Sequence, residues 1–330
     1  MSTVTYLSSD DVSELATPQD FIGSVRAGYR ERGEGAPAKP RTTLFSNETP
    51  GMLTGYLAIL PEMGYMGGYS YAAGFEQRDA WFATPLFDAQ AGELLAILDG
   101  ASMNPFKTGA AGAVGVDALA RTDAAVLGII GSGSQARGQL LATEKVRDFE
   151  QIYVYSPTKS NRDAFVHDMR DRVATSITAV DSPESLVPES DVVITATTAS
   201  DPVFDGSLLE PGTHVTSMGQ YNPNKREIDT HTVERSTYVI DLVERANQDA
   251  GAFLAARADG AVTDAHIHAE LGDIVAGNVP GRTHEDEITV FDSGGTAIET
   301  VASAGLLYER AIEAGLGNEL SLSSASEAFL

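Results

Sequence analysis

Apolar and small residues fill Ala124-Ala125-Val126-Leu127-Gly128-Ile129-Ile130, then give way to Gly131-Ser132-Gly133-Ser134-Gln135-Ala136. An apolar run that ends on glycines suits a strand buried on both faces and a tight turn, and the residues after it predict a helix from Gln135 to about Phe149. A second strand, Gln151 to Tyr155, arrives after one helix length. A third, Asp191-Val192-Val193-Ile194-Thr195-Ala196, follows another helical stretch. Strands that alternate with helices predict an α/β fold with a parallel sheet. Further strands are expected at Pro211 to Met218 and Thr237 to Asp241, with helical segments from Gln248 to Ala269. Ile288 to Asp292 reads as a strand meeting the turn Ser293-Gly294-Gly295-Thr296, and Ala297 to Gly315 as a helix returning to the first domain.

The first hundred residues follow a different pattern. After the capping run Ser8-Ser9-Asp10-Asp11, a helix is expected from Pro18 to Arg32 and a loop from Gly33 to Pro40. Arg41 to Phe45, Gly51 to Leu60, Gly64 to Phe75 and Trp81 to Phe87 read as extended pieces with close turns. Asp88 to Gly92 is a hairpin turn with a return strand from Glu93 to Leu98, which makes this stretch a separate α+β domain. The small residues from Ala110 to Ala120 predict a helix that packs tightly against a partner helix or a bound cofactor.

The glycine turn carries the candidate chemistry. In the pattern GxGxxA, Gly131 permits the tight turn, Gly133 lets a pyrophosphate approach the backbone, and Ala136 lets the helix lie close on the strand. The N–H groups at the start of that helix, from Ser134 and Gln135 onward, then face the anion. Folds selective for NAD place Asp or Glu near the end of the second strand, for the ribose 2′-hydroxyl. Ser156 stands there, with Pro157, Thr158, Lys159 and Arg162 behind it. Hydroxyls and cations suit a 2′-phosphate, so NADP(H) is expected over NAD(H); the alternative is that Lys159 and Arg162 belong to a solvated helix start.

Composition narrows the classes. A chain of 330 residues with 42% hydrophobic content predicts two domains with real cores. No stretch approaches the roughly 18 consecutive apolar residues of a membrane span. Met1 to Asp11 lacks a basic region and an apolar core, so no secretion signal is expected, and the expected compartment is the cytoplasm. Cysteine is absent, which excludes disulfides, thiolate catalysis and cysteine–zinc sites. The net charge is −25, with lysine confined to Lys39, Lys107, Lys145, Lys159 and Lys225. Such dispersed acidity points to a high-salt cytoplasm, where screening removes most self-repulsion, the alternative being an ordinary acidic mesophilic enzyme, and it leaves no basic patch for nucleic acid. His266 and His268 lie off one helical face and no HExxH occurs, so no metal site is expected.

Taken together, these residues resemble the ornithine cyclodeaminase/μ-crystallin family, which also contains alanine dehydrogenases and ketimine reductases. The resemblance runs over nearly the whole chain. Its pieces are Phe87-Asp88 with Gly92, Met103 to Ala111, Gly131 to Ala136, Thr195 to Thr198, Gly219 with Lys225 to Asp229, and Ile288 to Ile298. It implies a Rossmann dinucleotide-binding domain, residues 113–304, and an α+β substrate-binding and dimerisation domain built from both chain ends, 1–112 and 305–330. It also implies a homodimer, a nicotinamide cofactor, and hydride transfer at the C–N bond of a small amino, imino or 2-oxo acid.

Roles carried over residue by residue expose departures. Arg41 stands where relatives keep a carboxylate-binding arginine, a task that suits a bidentate fork. A second family arginine is Lys107 here, a point charge expected to bind substrate and share in catalysis. The active-site lysine of the Gly-x-Lys piece has no counterpart in Met66 to Tyr71, where Tyr69 is expected to wall the substrate pocket. The cyclodeaminase aspartate is replaced by Tyr221, a poor base but a usable proton donor. The resemblance places Thr108, Thr195, Ala196, Thr197 and Met218 beside the cofactor's phosphates or ribose, and Ser293 and Gly294 near its nicotinamide. Asp241 reads as a turn carboxylate or a substrate contact. Loss of the lysine and the aspartate favours a dehydrogenase or imine reductase. The alternatives are an ornithine cyclodeaminase-like lyase and a non-enzymatic NADP-binding, crystallin-like protein.

Overall fold

The computed structural model describes residues 2–75 and 80–328; Met1, residues 76–79 and the last two residues, all inside the expected first domain, lie outside it. Contacts along the backbone divide the chain into two units, Met1–Lys107 with Thr296–Leu330, and Thr108–Gly295. The architecture is α/β, a Rossmann-type domain plus a second, α+β domain.

In the first unit, β1 (Ser2–Leu7) leads into α1 (Ser9–Leu15) and α2 (Pro18–Gly33). Both helices open on capping boxes, Ser8 with Asp11 and Thr17 with Asp20, each satisfying two otherwise unpaired N–H groups. Strands β2 (Thr42–Phe45), β3 (Met52–Leu60), β4 (Tyr65–Ala73), β5 (Trp81–Asp88) and β6 (Leu94–Asp99) form an antiparallel meander. Helix α3 (Gly100–Leu119) contributes residues to both units. The second unit then alternates strand and helix: β7 (Val126–Ile130), α4 (Ser134–Thr143), β8 (Gln151–Tyr155), α5 (Lys159–Met169), β9 (Ile177–Ala179), β10 (Val192–Thr195), β11 (His214–Ser217), α6 (Thr230–Glu234), β12 (Ser236–Ile240), α7 (Gly251–Ala258), β13 (Ile267–Glu270), α8 (Leu271–Val275) and β14 (Ile288–Asp292). The chain closes with α9 (Ala297–Ala314) and β15 (Asn318–Leu322) in the first unit.

Among the described residues the strands make two sheets, β15-β1-β6-β5-β4-β3-β2 and the all-parallel β13-β12-β14-β11-β10-β7-β8-β9. The parallel sheet is buried on both faces. Val193, Val215, Tyr238 and Phe253 build one core, while Leu127, Ile129, Leu140 and Phe165 build the other. In the first unit α9 packs on α2, β3 and β4, and Ser24 donates to the Ala302 carbonyl at 2.7 Å.

Several elements depart from the pattern reading. Helix α3 starts ten residues before the expected Ala110 and runs through Pro105. A proline there forfeits one backbone hydrogen bond, but Met103 and Lys107 are fully buried and Phe106 stacks on Phe21 with ring centroids 5.4 Å apart, so packing holds the turn. Helix α4 stops at Thr143 rather than Phe149, because Arg147 turns back to Asp117 at 2.6 Å and to carbonyls at the end of α3. Residues 267–269, expected to be helical, fall in the edge strand β13, whose four residues are too few for periodicity to distinguish. The short strands β1, β9 and β15 and helix α1 carry no pattern long enough to predict them.

Candidate active site

Strand β7 lies between β8 and β10, the point at which the strand order reverses, and open α/β sheets bind ligands at the carboxyl ends there. Gly131 follows β7 with φ 131°, and its N–H donates to the Tyr155 carbonyl at 2.9 Å. A Cβ on Gly131 would lie 2.3 Å from the Ala196 carbonyl oxygen, so only glycine allows β7 and β10 to end this close together. Gly133 caps α4 with nothing within 4 Å of an added Cβ, and Ala136 is fully buried beneath the turn. The first-turn N–H groups of α4, including those of Ser134 and Gln135, thus have an open approach. The Thr108 hydroxyl donates to Gln135, and Gln139 Nε2 donates to the Thr108 carbonyl at 2.7 Å. Gly109 packs on Gly138, which brings the small-residue stretch of α3 against α4.

Two buried carboxylates fix the loops around this turn. Glu227 accepts from the Thr195 hydroxyl at 3.0 Å, the Thr197 N–H at 2.6 Å and the Gly219 N–H at 2.5 Å. It therefore ties the loop after β10 to the loop after β11, which carries half-buried Met218 and Tyr221, the latter 38% exposed. Burial pushes the Glu227 carboxyl up, and those same hydrogen bonds pull it back down. Asp241, at the end of β12, accepts the N–H groups of Gly294 and Gly295 at 2.9 Å each and pairs with Arg245 at 2.6 Å. Ser293 donates its N–H to the Ser217 carbonyl at 2.9 Å. Asp241 is thus a buried turn carboxylate that holds the Ser293–Gly295 turn.

At the end of β8, Ser132 and Ser156 join their hydroxyls at 3.1 Å, linking the glycine turn to the stretch expected to select the nucleotide. Thr158 stands at the start of α5, makes no capping hydrogen bond with its side chain, and is exposed. Lys159 is exposed and pairs with Asp163 at 2.6 Å, whereas Arg162 is buried, donating to the Ser156 carbonyl at 2.9 Å and to Asp181.

The first unit brings its three expected residues together, Arg41 from just before β2, Tyr69 from β4 and Lys107 from α3. The Arg41 guanidinium lies 5.6 Å from the centre of the Tyr56 ring, Tyr56 meets Tyr69 edge-on at 5.6 Å, and the Lys107 ammonium sits 5.0 Å from the Tyr69 ring centre. All four are buried. The Tyr69 hydroxyl donates to the Gly100 carbonyl at 3.2 Å, and burial pushes its pKa far above the usual phenol value. Lys107 forms an ion pair with Glu299 at 3.3 Å, and Tyr29 donates to the other Glu299 oxygen at 2.7 Å. The lysine's charge is therefore balanced within the fold, and its grip on an incoming carboxylate is weakened accordingly.

The family model described as "Ornithine cyclodeaminase/mu-crystallin family" matches residues 3–315. The chain belongs to the ornithine cyclodeaminase/mu-crystallin family. It is 36% identical over 236 residues to a Delta(1)-pyrroline-2-carboxylate reductase of Bacillus cereus, covering 71% of this chain and 72% of that one. It is 30% identical over 321 residues to an alanine dehydrogenase of Archaeoglobus fulgidus, covering 95% and 97%. The solved structure of Thermococcus litoralis Delta(1)-pyrroline-2-carboxylate reductase in complex with NADH and L-proline superposes with a TM-score of 0.92 at 33% identity, covering 96% of this chain and 100% of that one.

Within this family member, the residues that sequence reading missed are Glu227, Arg245, Asp181 and Glu299. A signal existed for two of them. Asp241, Arg245 and Asp249 are spaced by four, which stacks opposite charges along one helical face, and Glu299 is the one charged residue among the small and apolar residues that open its helix. Among the described residues no group of three or more His, Asp or Glu side chains could hold a metal ion, and no helix is long and apolar enough to cross a membrane.

Proposed function

We propose that this chain is an NAD(P)-dependent oxidoreductase acting on the C–N bond of a small amino or imino acid, with reduction of a cyclic or linear imino acid as its working direction. The observation that carries the reading is the open glycine cradle at the switch point of the parallel sheet, in a chain related to pyrroline-2-carboxylate reductases and an alanine dehydrogenase. The cradle residues fit a dinucleotide: Gly133 leaves the first-turn N–H groups of α4 open to its phosphates, Thr108 and Thr195 to Thr197 are the proposed flanks of those phosphates, and Ser293 and Gly294 are the proposed neighbours of its nicotinamide. NADP(H) is the proposed preference, since no acidic residue ends β8. When bound, the dinucleotide supplies or accepts the hydride.

The chain's own residues supply the rest. Arg41 holds the substrate carboxylate through its planar fork. Lys107, paired with Glu299, holds the Tyr69 ring in place rather than gripping the carboxylate itself. As hydride reaches the imine carbon, the C=N π pair moves to nitrogen, which takes up one proton; Tyr221 is the proposed donor. A tyrosine in place of the family's aspartate is a poor base for the cyclisation step, which favours reduction over cyclisation.

Purified protein in molar KCl, given NADPH or NADH, is expected to consume Delta(1)-pyrroline-2-carboxylate or a 2-oxo acid with ammonia, with loss of absorbance at 340 nm. No loss with any member of such a panel, or ammonia release from ornithine without net redox change, would overturn the reading. In the active protein Arg41→Lys is expected to raise the KM for the imino acid about ten- to hundredfold, since a point charge replaces a fork. The KM for the dinucleotide should stay unchanged; an equal rise in both would remove Arg41 from the substrate site.

The proposal extends to a second copy as partner. One face of the first unit's sheet is apolar and open. Leu44, Leu53, Ala72 and Trp81 pair in one row across four strands, and Ile59, Met66 and Phe87 in another. Between them Leu57 is 65% exposed. An open apolar sheet face of this extent is an interaction surface. Leu57→Asp buries nothing new in the monomer, so folding should persist while the dimer dissociation constant rises by about a hundredfold, read by sedimentation equilibrium. A wild type that sediments as a monomer would contradict this.

A further inference from the structure

The dinucleotide-binding folds that select NAD carry a carboxylate at the end of the second strand, and those that select NADP carry an arginine nearby. This chain has both, on different strands. Strands β8 and β9 run parallel with Ile152 beside Ile177, Tyr153 beside Thr178 and Val154 beside Ala179, and Val180 donates to the Val154 carbonyl at 2.9 Å. Ser156 and Asp181 each stand two residues past the last pair, so Asp181 occupies the carboxyl end of the next strand, level with the position from which the carboxylate is missing. Arg162 joins the two: Nη1 donates to the Ser156 carbonyl at 2.9 Å, Nη2 donates to Asp181, and the guanidinium lies 6.0 Å from the Tyr155 ring centre. The hydroxyl pair of Ser132 and Ser156 makes this group continuous with the glycine turn.

We propose that Asp181 sets the choice of dinucleotide. The proposal rests on the oxidoreductase reading above and deepens it. Arg162 is the cation a 2′-phosphate would use, yet its side chain is 9% exposed and already engaged, while Asp181 is 92% exposed. The carboxylate opposes a phosphate dianion at this spot twice: it occupies the guanidinium, and its own charge repels the newcomer. Its exposed second oxygen remains available to a ribose hydroxyl. Asp181 thereby supplies from β9 what β8 lacks, and it keeps NAD(H) usable in a site whose other groups favour NADP(H). Lys159 does not decide the matter alone, because Asp163 pairs with it in the same way on the first turns of α5.

The test is calorimetric titration of NADPH and NADH into wild type, Asp181→Asn and the double variant Asp181→Asn with Arg162→Gln, at one ionic strength. Asparagine keeps the size and one oxygen of the side chain but removes the charge. The ratio of the NADH to the NADPH dissociation constant is expected to rise about tenfold in Asp181→Asn and to rise by clearly less in the double variant, since part of the gain passes through Arg162 and the rest comes from removing the charge of Asp181 itself. A ratio that moves less than twofold while both dinucleotides still bind would overturn the proposal and leave the oxidoreductase reading standing. Equal weakening of both dinucleotides would also overturn it, assigning Asp181 to ribose contact without discrimination. A wild type that binds neither would instead remove the reading on which it rests.

Discussion

Replacing Arg245 with methionine is expected to lower the stability of the Rossmann-type unit by about 3–5 kcal/mol, the usual effect of stripping the counter-ion from a buried charge. Arg245 is fully buried, and its guanidinium meets Asp241 at 2.6 Å, Asp249 at 2.7 Å and Asp292 at 3.5 Å. Burial pushes the Asp292 carboxyl up, and the Arg245 charge opposes that push. Methionine fills much of the same volume, so the loss reads the charge rather than a cavity. Without the guanidinium, Asp241, Asp249 and Asp292 stand as buried carboxylates that have lost their shared counter-ion. Asp241 also holds the N–H groups of Gly294 and Gly295, so the damage reaches the candidate site. A urea titration at neutral pH should show the drop, with a melting temperature lower by roughly 10 °C. At a temperature where the variant remains folded, its dinucleotide affinity should fall as well. A stability loss below about 1 kcal/mol would mean the cluster is not held as one unit.

What could be read from the chain and what could not divides along physical lines. The β7 strand, the glycine turn and the helix after it are local: one apolar run and two glycines specify them, and Gly131 and Ala136 occupy the structural places their residue types imply. Arg41, Tyr69 and Lys107 were identifiable as residue types, and they meet in space. What could not be read was the partner each one takes. Glu299 lies 192 residues after Lys107 in sequence, and the Lys107–Glu299 pair changes what the lysine can offer a substrate. Asp181 was out of view for a similar reason. A search along β8 for the nucleotide-selecting carboxylate ends at Ser156, whereas strand register delivers the carboxylate from β9. Glu227 sits within a stretch that resembles the family, yet nothing in its neighbours tells that three donors from two other loops converge on it.

Acidification is expected to destabilise the chain through one histidine, by about 4–5 kcal/mol in total between pH 6.5 and 3. His214 opens β11 with its ring fully buried, Nδ1 set 2.9 Å from the Thr289 hydroxyl and Nε2 3.0 Å from the Thr216 hydroxyl. Burial first, then the nearby Arg282 and Arg147 charges, lower its pKa from 6.5 to about 3. The folded ring therefore stays neutral while the unfolded chain takes up a proton as pH falls below 6.5. Stability contributed by the neutral ring is present above pH 6.5 and is lost at about 1.4 kcal/mol per pH unit down to about pH 3. Asp292 and Glu227 act in the opposite sense, because burial raises their carboxyls and the fold then holds their protons more tightly than the unfolded chain does. The wild-type slope is a sum of these, so the histidine must be isolated by difference. His214→Gln keeps hydrogen-bonding groups between the two threonines but cannot titrate. Urea unfolding of both proteins at intervals between pH 6 and 4.5 should give a wild-type stability that falls more steeply, the gap closing by about 1.4 kcal/mol for each pH unit. Parallel slopes would show that the buried ring takes up its proton in the folded state. The pair of threonine hydroxyls would then have to be accepting from an imidazolium at the heart of the parallel sheet.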